Sequence, residues 1–133
     1  MVVVPVAGRY DEAMDYSRDA VARRRRARAD ALQAELERVV GLLKSRPDVR
    51  LIRLFGSLAT HTSGEHSDLD LVVVMKTDVP FLGRIGTLYQ FVEPEVDTDL
   101  LVYTPEEWGA MKADSGFVRR IRAEGKVIYE AAA

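Results

Sequence analysis

The chain has 133 residues, 47% of them apolar and 30% charged, with a formal net charge of −2. That length and balance suit one globular domain with a real core. There is no cysteine, which excludes disulfides, thiolate nucleophiles and Cys-based zinc sites. The charge is uneven: residues 1–50 carry 11 Lys and Arg against 8 Asp and Glu, and residues 51–133 carry 8 against 13. The opening "MVVVPVAG" is apolar but short, has no basic start and is broken by Pro5, so a signal peptide is not expected. No run reaches the length of a bilayer span. The expectation is a soluble, cytoplasmic protein.

Residues 1–9 read as an N-terminal extension, and residues 10–133 as a single domain. From about residue 10 to 44 the sequence predicts one long helix. Its clearest part is the Leu32, Leu36, Val39, Leu43 stripe at helical spacing. Its first half carries "RRRRAR", Arg23 to Arg28, which reads as a solvated helix face, with attraction of nucleic acid or another polyanion as the alternative. A straight helix of that length would span roughly 50 Å, so a break near the arginines or a projecting arm is expected. Pro47 closes the segment, because the residue before a proline disfavours helix.

A core over about 48–130 follows. Strands are expected at Val49–Phe55, Leu69–Met75, Val96–Tyr103 and Lys126–Tyr129, with a helix over Phe81–Phe91 between the second and third. "TPEEW" marks a helix start: Thr104 caps, Pro105 takes the first helical position and Glu107 completes a capping box. Another helix, Phe117–Glu124, is expected to stop at Gly125 in a left-handed cap. The fold class is α+β, a small mixed β-sheet flanked by helices.

Two strands begin with carboxylates. Side chains alternate across a strand, so Asp68, Asp70, Val72 and Val74 share one face, as do Asp97, Asp99, Leu101 and Tyr103. If the two strands are neighbours, these carboxylates converge at one sheet edge. Crowding them in a partly desolvated place raises their pKa values unless a cation compensates. Mg²⁺ takes oxygen ligands and leaves positions for phosphates. An Asp-x-Asp pair alone carries little weight, since about one is expected by chance among this many aspartates. The preceding text changes the balance. Gly56 permits a tight turn at a strand end, and Ser57 starts a short helix through Thr60 whose N–H groups suit phosphate.

That ordered set, "LFGS", "LATHTSGEH", "SDLDLVVV", then "DLLVYTPEEW" and "EGKVIYE", resembles the minimal nucleotidyltransferase (MNT) domain of the DNA polymerase beta superfamily over roughly residues 32–130. The resemblance implies a polymerase beta-like nucleotidyltransferase fold. It implies that Gly56 and Ser57 bind the nucleoside triphosphate, here expected to be ATP. Asp68, Asp70 and Asp99 would be the catalytic carboxylates and hold Mg²⁺ or Mn²⁺, with Asp97 in reserve. Such enzymes transfer a nucleotidyl group, here AMP, from an NTP to a hydroxyl acceptor.

Small members of this kind act as antitoxins beside a helical HEPN-type partner, which would be the acceptor. The other readings are a non-catalytic antitoxin-like binder of such a partner and a small-molecule (antibiotic) nucleotidyltransferase, with self-association into a homo-oligomer left open. One departure stands out. Members often carry basic residues after Gly-Ser, where this chain has Leu58 and Thr60; Arg53, Arg84 or an arginine from elsewhere would have to compensate. His61 and His66 read as exposed loop residues. Trp108 is expected to pack under its helix. Tyr89, Phe91 and Tyr103 read as core or interface, with Tyr103 also placed to border the site.

Overall fold

Alanine and arginine, both strong helix formers, fill the first half of the long helix, and its second half carries the apolar stripe. In the computed structural model, which describes residues 13–111 and 115–132, this segment is one helix, α1, Arg18–Leu43. The part of the expected helix before residue 13 lies outside the described residues. Helix begins only after Ser17, which caps it by accepting from the Ala20 N–H at 3.3 Å, while Asp15 in turn accepts from the Ser17 N–H.

The expected break at the arginines is absent. Two of those arginines hold the helix down: Arg24 Nε is ion-paired with Glu65, and Arg28 Nε donates to the Ser67 carbonyl at 2.8 Å. Both partners lie in the loop leading to the second strand. Arg23, Arg25 and Arg26 remain exposed. A run that reads as one solvated face is therefore split, part anchor and part solvent surface.

The other elements are β1 (Val49–Phe55), α2 (Gly56–Thr60), β2 (Leu69–Met75), α3 (Phe81–Val92), β3 (Thr98–Tyr103), α4 (Pro105–Ala110), α5 (Gly116–Glu124) and β4 (Lys126–Glu130). The sheet order is β3-β2-β1-β4. Strand β2 is antiparallel to β1 and parallel to β3, and β4 is antiparallel to β1. Strand β3 begins at Thr98, two residues later than the alternation suggests.

One sheet face meets α1 and α3 through Leu32, Leu36, Val39, Leu43, Leu88 and Val92, all buried. Each such side chain contributes about 1.5–3 kcal/mol of burial. The other face, Val72 and Val74, packs with Ile121 of α5 and with Tyr103 and Trp108. Glu35 of α1 is a polar residue buried in the first layer. Its carboxylate accepts from Arg38 Nε at 2.6 Å and from the Glu95 N–H at 2.6 Å, and Arg38 also reaches the Val92 and Glu93 carbonyls. This pair fixes the connection that delivers β3.

The capping box at α4 is present in both directions. Gly125 differs from expectation: its φ of −78° and ψ of 161° are extended, not left-handed. Space rather than backbone hand explains glycine there. A Cβ would run into the Ile121 carbonyl oxygen and sit 2.9 Å from that of Leu54, so glycine lets α5 end tightly against β1.

Candidate functional site

The sheet edge where β1 ends and β2 and β3 begin collects the polar residues. Register places Phe55 opposite Asp70 and, across the parallel pair, Asp70 beside Asp99. Neighbouring strands lie about 4.8 Å apart, so the two carboxylates stand side by side. The Asp70 carboxyl is pushed up to about 7, first by burial and then by its hydrogen bond and charge contact with Asp99, with a smaller contribution from Asp68. In its protonated form the Asp70 carboxyl has a hydrogen to donate toward Asp99.

Gly56 adopts φ +76° directly after Phe55 and opens α2. A Cβ there would collide with Asp70 Oδ2 and lie 3.0 Å from its Cγ. Glycine is needed on both counts: the left-handed backbone favours it, and only a hydrogen leaves room for the carboxylate. The turn and the acidic strand are thus in direct contact. Ser57 follows in the first turn of α2, its Oγ 3.5 Å from Ser63 Oγ.

Three adjoining hollows run across this edge. A cavity of about 380 Å³ is lined by Gly56, Ser57, Thr62, Asp70, Phe117 and Arg120. A second, about 420 Å³, contains both Asp70 and Asp99 with Tyr89 and Phe117. A third, about 430 Å³, contains Asp68, Tyr89, Glu95, Asp97 and Asp99, with no cation among its described lining residues. Shared residues join them into a groove with the carboxylate couple in the middle, an acidic trough on one side and the Gly-Ser turn on the other.

Asp68 and Asp97 therefore face the trough while Asp70 faces the turn, and Asp99 belongs to the middle and the acid side. Among the described residues no group of three His, Cys, Asp or Glu side chains is already arranged to hold a metal ion. The donor chemistry nonetheless suits one: hard carboxylate oxygens, crowded and partly desolvated, lose their mutual repulsion to a divalent cation.

Of the arginines expected to compensate for the bare Gly-Ser turn, neither named one serves the site. Arg84 is buried and committed, donating to the Val79 and Val102 carbonyls and to Glu107. Arg53 shares the Asp70 sheet face but donates to the Arg122 carbonyl at 3.0 Å. Tyr103 lies at the far end of β3, stacked with Phe81 and Trp108, not at the carboxylates. Trp108 packs as expected, with Arg122 over its ring. His66 is exposed, and His61, also exposed, meets Lys126 at 3.1 Å.

Two residues line the groove although the sequence placed Tyr89 only in the core or an interface and gave Arg120 no role. Tyr89 borders the trough, and its hydroxyl pKa is raised by burial and then by Asp99, Asp97 and Asp68. Arg120 lines the Gly-Ser cavity from α5. The i, i+3, i+4, i+7 spacing of Phe117, Arg120, Ile121 and Glu124 marks one helix face, although nothing in the sequence says where α5 lies.

A glycine-serine turn thus lies against carboxylates on two neighbouring parallel strands. Residues 37–133 match the family model described as polymerase beta, nucleotidyltransferase, and the chain belongs to that family. No curated protein sequence matches it.

Among solved structures, a Sulfolobus solfataricus protein described as a candidate nucleotidyltransferase has 16% identity and a TM-score of 0.51. The match covers 90% of this chain and 93% of that one. At that identity the likeness shows a shared fold. A toxin–antitoxin complex crystallised with AMP-PNP matches at 19% identity and TM-score 0.48 over 74% and 73% of the two chains. A tri-AMPylated Shewanella oneidensis HEPN toxin in complex with MNT antitoxin matches at 17% and 0.45 over 75% and 73%. Among the described residues no helix is long and apolar enough to cross a membrane.

Proposed function

We propose that this chain is a metal-dependent nucleotidyltransferase that moves AMP from ATP onto a hydroxyl group of a HEPN-type helical protein partner. The observation that carries this reading is the in-register Asp70–Asp99 couple in contact with the Gly56 turn. Family membership supports nucleotidyl transfer. The protein acceptor rests on the resemblance of the sequence to minimal nucleotidyltransferases, as does the choice of ATP.

Asp70 and Asp99, with Asp68 just before β2, would hold Mg²⁺ or Mn²⁺. The ion's contribution when bound is to neutralise charge on the phosphate oxygens. Gly56 and Ser57 offer main-chain N–H groups at the start of α2 to the triphosphate. The nucleotide then occupies the cavity on the turn side, and the acceptor hydroxyl approaches from the acidic trough.

In the transfer the acceptor oxygen bonds to the α-phosphorus and the bond to the β-phosphate oxygen breaks. Pyrophosphate leaves, and Asp99, exposed at the junction, takes the hydroxyl proton. Positioning and electrostatics supply most of the rate. One feature favours the non-catalytic antitoxin-like reading instead: Leu58 packs against the core and Thr60 is uncharged, so the turn brings no cation of its own.

Labelled ATP separates the two readings. With Mg²⁺ and the product of the adjacent gene, transfer of label from [α-³²P]ATP but not [γ-³²P]ATP is expected, and Asp99→Asn should abolish it. No transfer, or transfer unaffected by the substitution, removes the enzymatic reading.

A further inference from the structure

We propose that Arg120 on α5 is the cationic contact for the nucleotide's phosphate tail, replacing the basic residues that the Gly-Ser turn lacks. The inference rests on the nucleotidyltransferase reading of the same site. A triphosphate calls for cationic partners, and the side chains that follow the Gly-Ser turn supply none. Leu58 is packed against the core, and Thr60 Oγ1 is taken up by Thr62 at 2.8 Å and the Gly56 carbonyl at 3.3 Å. Arg53 and Arg84 are held by backbone carbonyls, Arg84 also by Glu107.

Arg120 is different. It is exposed, lines the same cavity as Gly56, Ser57 and Asp70, and has no ion pair or side-chain hydrogen bond among the described residues. Its helix is fixed at three places. Val118 and Ile121 are buried, Phe117 meets Phe55 edge-on at 6.4 Å, and the Gly125 end sits against Leu54. A rigid helix thus holds a free guanidinium over the turn, and its planar fork of donors matches phosphate oxygens. Glu124, one turn on, lines the same cavity without pairing with it.

The test is calorimetric binding of ATP, AMP and adenosine, with Mg²⁺, to the full chain and to Arg120→Gln, Arg120→Lys and Arg119→Gln. Arg119 is exposed and absent from the cavity lining. Arg120→Gln should weaken ATP about tenfold or more, the scale of one hydrogen bond to a charged group. It should weaken AMP less and adenosine not at all. Arg120→Lys should recover part of the loss, and Arg119→Gln should bind like wild type. Equal losses for all three ligands, or an unchanged ATP affinity in Arg120→Gln, overturns the assignment while the nucleotidyltransferase reading stands. A wild-type chain that does not bind ATP overturns both.

Discussion

Asp70→Asn removes one ionisation from the centre of the groove while keeping the side chain's shape and a donor toward Asp99. The structure sets the size of its effect. Raising the Asp70 carboxyl from 3.8 to about 7 corresponds to roughly 4 kcal/mol at 1.36 kcal/mol per pKa unit. The carboxyl faces an open cavity, and solvent screening brings the expected value down to about 1–2 kcal/mol. The folded chain binds this proton more tightly than the unfolded chain. Stability is therefore lost as pH rises, with no cost below about pH 4 and the full cost above about pH 7.

In the absence of divalent cations, Asp70→Asn should thus melt above wild type at pH 8, by roughly 3–8 °C for a domain of this size. The gap should narrow markedly at pH 5. Adding Mg²⁺ at pH 8 should stabilise wild type and close part of the gap. Thermal unfolding followed by circular dichroism measures all three. A variant less stable than wild type at pH 8, or a gap that does not change with pH, would refute the claim that burial and the neighbouring carboxylates strain Asp70.

Two other substitutions probe the supports of the groove. Gly56→Ala combines a left-handed backbone with a collision at Asp70; urea unfolding should show a loss of at least about 1–2 kcal/mol. Glu35 is held below the usual carboxylate range, first by Arg38, against the opposing effect of burial, and then by the Glu95 N–H. Its contribution is present above its ordinary pKa and disappears as pH falls, so Glu35→Gln should lose stability at pH 7 and lose less between pH 7 and pH 3 than wild type does, read from unfolding midpoints across that range.

Much of the site's arrangement was legible because strand alternation is a short-range rule. Once β2 and β3 are recognised, the period of two puts Asp70 and Asp99 at matching positions, and the register of the parallel pair brings them together. The Gly-Ser turn was legible for a related reason, since a glycine at a strand end before a short helix signals a backbone that needs it. The sequence could not reveal which arginines were free. Arg84 sits in an amphipathic helix like any surface residue, and only the packing of α3 on β3 and α4 shows that it is buried.

Arg120 becomes a groove residue only because α5 folds back over β1 and β2. Gly125 teaches the same lesson: the helix stop was readable, but the reason for it, a close approach to Leu54, belongs to tertiary structure. At the arginine run, pattern could not separate anchors from solvent-facing residues, because Glu65 and Ser67 lie some forty positions away in the chain.

The most direct measurement for the central claim is a crystal structure of the chain grown with Mn²⁺ and a non-hydrolysable ATP analogue, with the metal located by its anomalous signal. The expected result is Mn²⁺ at about 2 Å from carboxylate oxygens of Asp70 and Asp99, with the triphosphate on the main chain of Gly56 and Ser57. A metal bound elsewhere, or a nucleotide whose phosphates lie away from that turn, would contradict it.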